Sequence, residues 1–179
     1  WFAYSAFSLY FANVFFPEGD QTSQLLKTAA VFAAGFIVRP VGGWLMGRYA
    51  DVAGRRRAMA LSMIFMSVGS ICVGLTPGYE TIGVIAPTVL LLARVLQGLS
   101  MGGQYGSCVT YISEVATRER RGFLSSFQYV TLILGQLSAM ALLVALQQLL
   151  TPEELSAWGW RVPFIVGGIA ALVALRVLL

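Results

Sequence analysis

The chain has 179 residues, 58% of them hydrophobic and only 11% charged, with a net charge of +4. Soluble domains carry roughly 25% charged residues, so a water-soluble fold would leave too much apolar surface exposed, and the positive balance is too thin for a nucleic-acid partner. Histidine is absent, which excludes histidine-based triads, and no GxSxG, Walker or dinucleotide fingerprint occurs; no enzymatic activity is expected.

Apolar runs recur with short polar breaks. A helix needs about 20 residues to cross a hydrocarbon core of about 30 Å, and continuous rather than alternating runs favour helices over barrel strands. Six spans are expected, at roughly 1–16, 25–49, 58–76, 84–113, 122–146 and 161–179, with ends good to a few residues.

The first, WFAYSAFSLYFANVFF, is already apolar at Trp1 and reads as the later part of a helix begun upstream. Nothing basic precedes it, so it does not read as a signal peptide. The second span contains Arg39, about 21 Å down the helix from Leu25 at 1.5 Å per residue, followed by Pro40, which frees a backbone carbonyl. After it comes the break GRYADVAGRRR, Gly47 to Arg57, where glycines permit a tight turn and Asp51 faces a run of arginines.

The fourth span holds Arg94 about ten residues in, with Gln97 one turn away and Gln104 seven further on a similar face. Gly98, Gly102 and Gly106 form a small-residue ridge suited to close helix packing. The loop EVATRERR, Glu114 to Arg121, leads into a fifth span with a polar stripe of Ser125, Gln128, Tyr129 and Gln136. The sixth begins at Arg161, beside Trp158 and Trp160. Cys72 and Cys108 fall inside spans and read as small buried apolar residues rather than a disulfide or metal pair.

Arginines concentrate in the breaks after spans two and four, whereas the other breaks hold Glu18, Asp20, Glu80, Glu153 and Glu154. The arginine-rich loops are therefore expected on the cytoplasmic side.

Intramembrane cations define the candidate site. An arginine near mid-membrane costs about 2.5 to 3.5 kcal/mol on insertion scales, so it needs a partner, a wet cavity or an interface. For Arg39 and Arg94 two readings stay open, structural pairing and contact with an anion in a pathway. For Arg161 the alternatives are an interfacial anchor and a guard at the outer mouth. Gln97, Gln104, Gln128 and Gln136 either line the same cavity or bond between helices. Within the predicted spans Arg39 and Arg94 lie deep, while Asp51 and Glu114 sit only at the cytoplasmic helix ends, so the visible wall is cationic and suits a dicarboxylate better than a quaternary ammonium ion. Asp51 and Glu114 are placed to pair with Arg55, Arg56 or Arg121 as a cytoplasmic gate.

Gly47, Asp51, Gly54, Arg55 and Arg56 resemble the GxxxD(R/K)xGR(R/K) signature of the major facilitator superfamily, with Val52 departing from it. FAAGFIVRPVGGWLMGR, ARVLQGLSMGG, YISEV, SSFQYVTLILGQL and WGWRVPF are similar to its metabolite:proton symporter branch. Arg94, Gln97, Gly98, Gly102 and Gly103 follow the branch's RxxQGxxxGG pattern, and Glu114 to Arg121 resembles a second loop signature.

The resemblance implies an all-α polytopic transmembrane bundle: the N-terminal six-helix half, residues 1–179 with a truncated first helix, of a twelve-helix transporter of the bacterial inner membrane. It implies proton symport of a small metabolite by alternating access, driven by the proton gradient without a cofactor or metal. The expected partners are a small anion, the bilayer and a C-terminal six-helix half.

The cationic wall points to a dicarboxylate such as 2-oxoglutarate; citrate, shikimate, proline and betaine are the alternatives within the branch, and a transporter-like sensor or scaffold is the alternative outside it. Close relatives tend to have glutamate where this chain has Gln104, so the proton carrier is expected elsewhere, in an acidic EW(F/Y)D run upstream or in the second half.

Overall fold

The computed structural model describes residues 1–178, the side chain of Val115 excepted; Leu179, assigned to the last predicted span, lies outside them. Helices follow in the order α1 (Phe2–Phe15), α2 (Gln21–Ile37), α3 (Arg39–Ala53), α4 (Arg55–Leu75), α5 (Tyr79–Ile82), α6 (Ile85–Val115), α7 (Arg121–Leu149), α8 (Pro152–Ala157), a 3₁₀ turn (Gly159–Arg161) and α9 (Val162–Leu178). The described residues contain no strand.

Among the described residues, five helical stretches are long and apolar enough to cross a membrane: 21–53, 55–75, 85–114, 121–149 and 159–178. At 14 residues, α1 falls short of the roughly 20 that a crossing needs.

The predicted second span is one stretch with an interruption. Val38 separates α2 from α3, because Pro40 has no N–H to give the Phe36 carbonyl and its ring crowds that turn. The chain bridges the break with Val38 N–H donating to Ala34 O (3.3 Å) and Gly42 N–H to Val38 O (3.0 Å). At the far end of α3 a single residue, Gly54, reverses the chain into α4 at φ 93°. That left-handed backbone is strained for any residue with a Cβ.

The central helix, α6, packs against α2, α3, α4 and α7. Its approach to α2 and α3 is backbone to backbone: a Cβ on Gly98 would strike the Gly35 carbonyl oxygen, and one on Gly102 the Arg39 carbonyl oxygen. The expected ridge is corrected at its last member. Gly106 meets nothing within 4 Å, and Gly103, packed on Met46, takes its place in the interface.

An aromatic core joins α1 to α4, α6 and α9. Tyr4, Phe7, Phe11 and Phe15 lie on one face of α1 and pack against Val73 of α4, Leu90 and Ala93 of α6, and Trp160 and Phe164. In lipid the gain comes mainly from packing, because the tails are as apolar as the side chains. Phe11 has ring neighbours Tyr4, Phe15, Trp160 and Phe164 at centroid separations of 4.8 to 6.0 Å. Between α7 and α9, Thr151 and Glu154 form a capping box at the start of α8.

Candidate functional site

Between α2–α3, α6 and α7 the helices leave a cavity of about 820 Å³. The kink supplies one wall, Phe36, Arg39 and Pro40; α6 contributes Gln104, Tyr105 and Cys108; α7 contributes Gln128 and Thr131. Among the described residues that line it no carboxylate stands, and Arg39 is the charged one.

The Arg39 guanidinium sits in the corner between two nearly perpendicular rings. Its carbon is 3.8 Å from the Phe36 ring centre and 4.2 Å from that of Trp1, and the two rings meet edge to face at 81°. Nε is buried without a hydrogen-bond partner among the described residues. Each ring face offsets part of the desolvation of the cation without neutralising it. Arg39 is thus a fixed positive charge beside neutral donors and acceptors, an arrangement that can bind an anion.

Arg94 is placed differently. It is fully buried and does not line the cavity. Its guanidinium carbon lies 3.8 Å from the Tyr4 ring centre, with Trp1 at 5.6 Å and Phe164 at 5.8 Å, and none of its three side-chain nitrogens bonds to a described residue. A desolvated cation–π contact contributes about 2 kcal/mol, close to the insertion cost of an arginine, so the ring cage offsets much of the burial. Tyr4 is held in turn by its hydroxyl, which donates to Thr28 O at 2.8 Å.

Gln97 also lies in the sealed interior, where Nε2 donates to Ser70 Oγ at 3.0 Å and ties α6 to α4. Gln104 and Gln128 reach the cavity; Gln136, exposed on α7, does not line it. Arg161 closes the 3₁₀ turn, stacked at 5.1 Å on the buried Trp160 ring, away from the cavity.

The expected gate residues cluster around Arg55. Its Nη1 is 2.8 Å from Asp51 Oδ1 and its Nε 3.7 Å from Glu114 Oε1, so one side chain joins the end of α3 to the end of α6. Arg56 Nε donates to Leu178 O at 2.7 Å, at the negative end of the α9 dipole. Gly47 and Gly54 frame this turn, and Arg121 opens α7 at the end of the other arginine-rich loop.

Two expectations about cysteine are corrected. Cys72 is exposed on α4, and Cys108 is half-buried and lines the cavity; neither is sealed in apolar packing. Phe36, Tyr105 and Thr131 were also not singled out by the sequence. Phe36 stands three residues before Arg39 and Thr131 three after Gln128, the spacing of one helical turn, whereas Tyr105 adjoins Gln104 and no such spacing marks it.

The sequence profile of the family described as "Sugar (and other) transporter" matches residues 2–179. The chain belongs to this transporter family. Its fold is that of a six-helix half of a major facilitator protein: the xylose transporter XylE from E. coli, in a partially occluded inward-open conformation, superposes with a TM-score of 0.80 over 99% of this chain and 46% of that one, at 22% identity.

In sequence the transporter is 57% identical to the alpha-ketoglutarate permease of Escherichia coli K12 over 97% of this chain and 40% of the permease. It is 39% identical to the citrate-proton symporter of Klebsiella pneumoniae over 93% of this chain and 37% of that protein. It is 35% identical to the proline/betaine transporter of Salmonella typhimurium over 86% of this chain and 31% of that one. The chain thus spans about two fifths or less of the length of these curated relatives. It is a multi-pass membrane protein from a family of transporters rather than enzymes.

Proposed function

We propose that the chain forms one wall of a proton-coupled symporter that imports a small dicarboxylate, 2-oxoglutarate foremost, across the bacterial inner membrane by alternating access. The observation that carries this reading is the cavity itself, in which Arg39 supplies the charge and no acid opposes it.

A guanidinium binds a carboxylate through two parallel hydrogen bonds, and Gln104, Tyr105 and Gln128 offer neutral partners for an oxo oxygen nearby. Identity to the alpha-ketoglutarate permease supports the same cargo. Betaine, named among the relatives' substrates, fits the wall less well, because its carboxylate can meet Arg39 but no acid in the wall receives its quaternary ammonium.

A second six-helix half completes the cavity. Proton coupling follows the citrate-proton relative, and the titrating group belongs outside this cavity wall. The Asp51–Arg55–Glu114 cluster serves as a cytoplasmic latch whose exposed pairs, each below about 1 kcal/mol, bias the access states only as a network.

The test is uptake by the complete transporter in proteoliposomes under an inward proton gradient. 2-Oxoglutarate accumulates, dicarboxylates compete better than betaine or proline, and an ionophore abolishes the accumulation. Preferential accumulation of betaine or proline refutes the cargo; indifference to the ionophore and to external pH refutes symport.

A further inference from the structure

We propose that Phe36 and Trp1 act as an aromatic clamp that positions Arg39 for the substrate carboxylate; the inference rests on the dicarboxylate reading of this cavity. The guanidinium carbon is 3.8 Å from one ring centre and 4.2 Å from the other, and the rings stand edge to face at 5.1 Å. A side chain of this length carries substantial rotamer entropy when free. The corner leaves it few ways to lie.

The choice of partner matters chemically. A carboxylate in place of the rings would occupy the N–H fork and cancel the charge, and an arriving substrate would have to displace it. A ring face attracts the cation through its quadrupole and uses none of the five N–H donors. The clamp therefore orients Arg39 while leaving the N–H groups of Nη1 and Nη2 for the ligand, Nε being buried. It also favours a planar guanidinium over the compact ammonium of lysine, which does not stack in this way.

The clamp is itself braced. Phe32 meets both Trp1 and Phe36 at 5.1 Å, and Tyr4 stacks on Phe32 at 5.4 Å with only 10° between the ring planes. Tyr4 carries Arg94 on its ring and is tied to the Thr28 carbonyl. A continuous ring cluster thus runs from the cavity cation to the fully buried one, and the corner holding Arg39 is backed by the core of the bundle. Phe36 lines the cavity with its ring against the Arg39 guanidinium, so a lipid-facing packing role alone does not account for its placement.

The experiment measures 2-oxoglutarate uptake kinetics for the complete transporter in proteoliposomes, with the amount of inserted protein quantified. Phe36→Leu keeps apolar bulk but removes the ring face, and it raises KM about fivefold to tenfold with a maximal rate within about twofold of the parent. Phe36→Trp restores KM. The double variant Phe36→Leu with Arg39→Lys is less than additive, because the clamp acts through the guanidinium. Trp1→Leu provides the same readout should Phe36→Leu fail to insert.

An unchanged KM in the leucine variants overturns the clamp, as does a fall in maximal rate alone or full additivity with Arg39→Lys. The underlying functional reading fails by a different sign: Arg39→Gln then transports 2-oxoglutarate with the parent's KM.

Discussion

Replacing Gly102 by alanine adds one methyl group where α6 touches α3. That Cβ would collide with the Arg39 carbonyl oxygen and lie 2.8 Å from Gly43 N and 3.0 Å from the Arg39 carbonyl carbon. All three are backbone atoms, so no side chain can swing aside and the helices must separate. Overpacking of this kind costs about 1 to 3 kcal/mol.

Gly43 offers an internal control on the same interface: its added Cβ would sit 3.5 Å from Gly102 O, an ordinary contact. A thermal shift of the purified complete transporter in detergent separates the two. Gly102→Ala lowers the transition by several degrees, at roughly 2 to 4 °C or less per kcal/mol for a chain of this size or larger. Gly43→Ala melts near the parent, and because Gly43 also lines the cavity, its effect falls on substrate affinity. Equal melting of Gly102→Ala and the parent, or an equal loss in both variants, refutes the backbone-contact argument.

Other consequences can be measured separately. Asp51→Asn removes one arm of the Arg55 cluster, so counterflow exchange slows more than substrate affinity falls; equal loss of both points to misfolding instead. With every other cysteine of the complete transporter replaced by serine, a hydrophilic thiol reagent labels Cys108 from the cavity, and 2-oxoglutarate slows the labelling; labelling unaffected by saturating substrate contradicts its place on the cavity wall. Glu154 accepts hydrogen bonds from the Thr151 backbone N–H and hydroxyl, which hold its carboxyl below the usual glutamate range. The depressed value means that the α8 cap is present above the ordinary glutamate pKa and is lost as pH falls through the lowered one. Carboxyl NMR therefore finds Glu154 titrating below the ordinary glutamate range, and Thr151→Ala, which removes the hydroxyl but keeps the backbone donor, raises it only part of the way back.

Much of this architecture was legible because membrane insertion imposes simple constraints on sequence. Long apolar runs marked the crossings, and the spacing of Gly47, Asp51, Gly54 and the two arginines marked the turn whose one-residue reversal needs a positive φ at Gly54. Arg39 was legible as an intramembrane charge, and Pro40 as a local break, but not the corner of rings around Arg39. Trp1 lies on a different helix segment, and no single-helix pattern encodes that contact.

Arg94 shows the limit most clearly. Its depth was evident, yet helical phase suggested that it shares surroundings with Gln104. Ten residues separate them, about 15 Å along α6, and over that distance the same face passes from the aromatic core into the cavity. Phase gives a face; the neighbour that covers the face changes with depth. Likewise Gly106 continued the four-residue ridge in sequence, but the crossing of α6 over α3 had already carried it clear of the interface, and Gly103 made the contact instead.

The central claim is that Arg39 presents the charge that recognises a dicarboxylate. Counterflow exchange of labelled 2-oxoglutarate by the complete transporter tests it most directly, because exchange without a proton gradient isolates recognition from coupling. Arg39→Gln keeps the protein inserted and raises the KM for exchange at least about tenfold, the loss of one charge-assisted bidentate contact. Exchange by Arg39→Gln at the parent's KM contradicts the account.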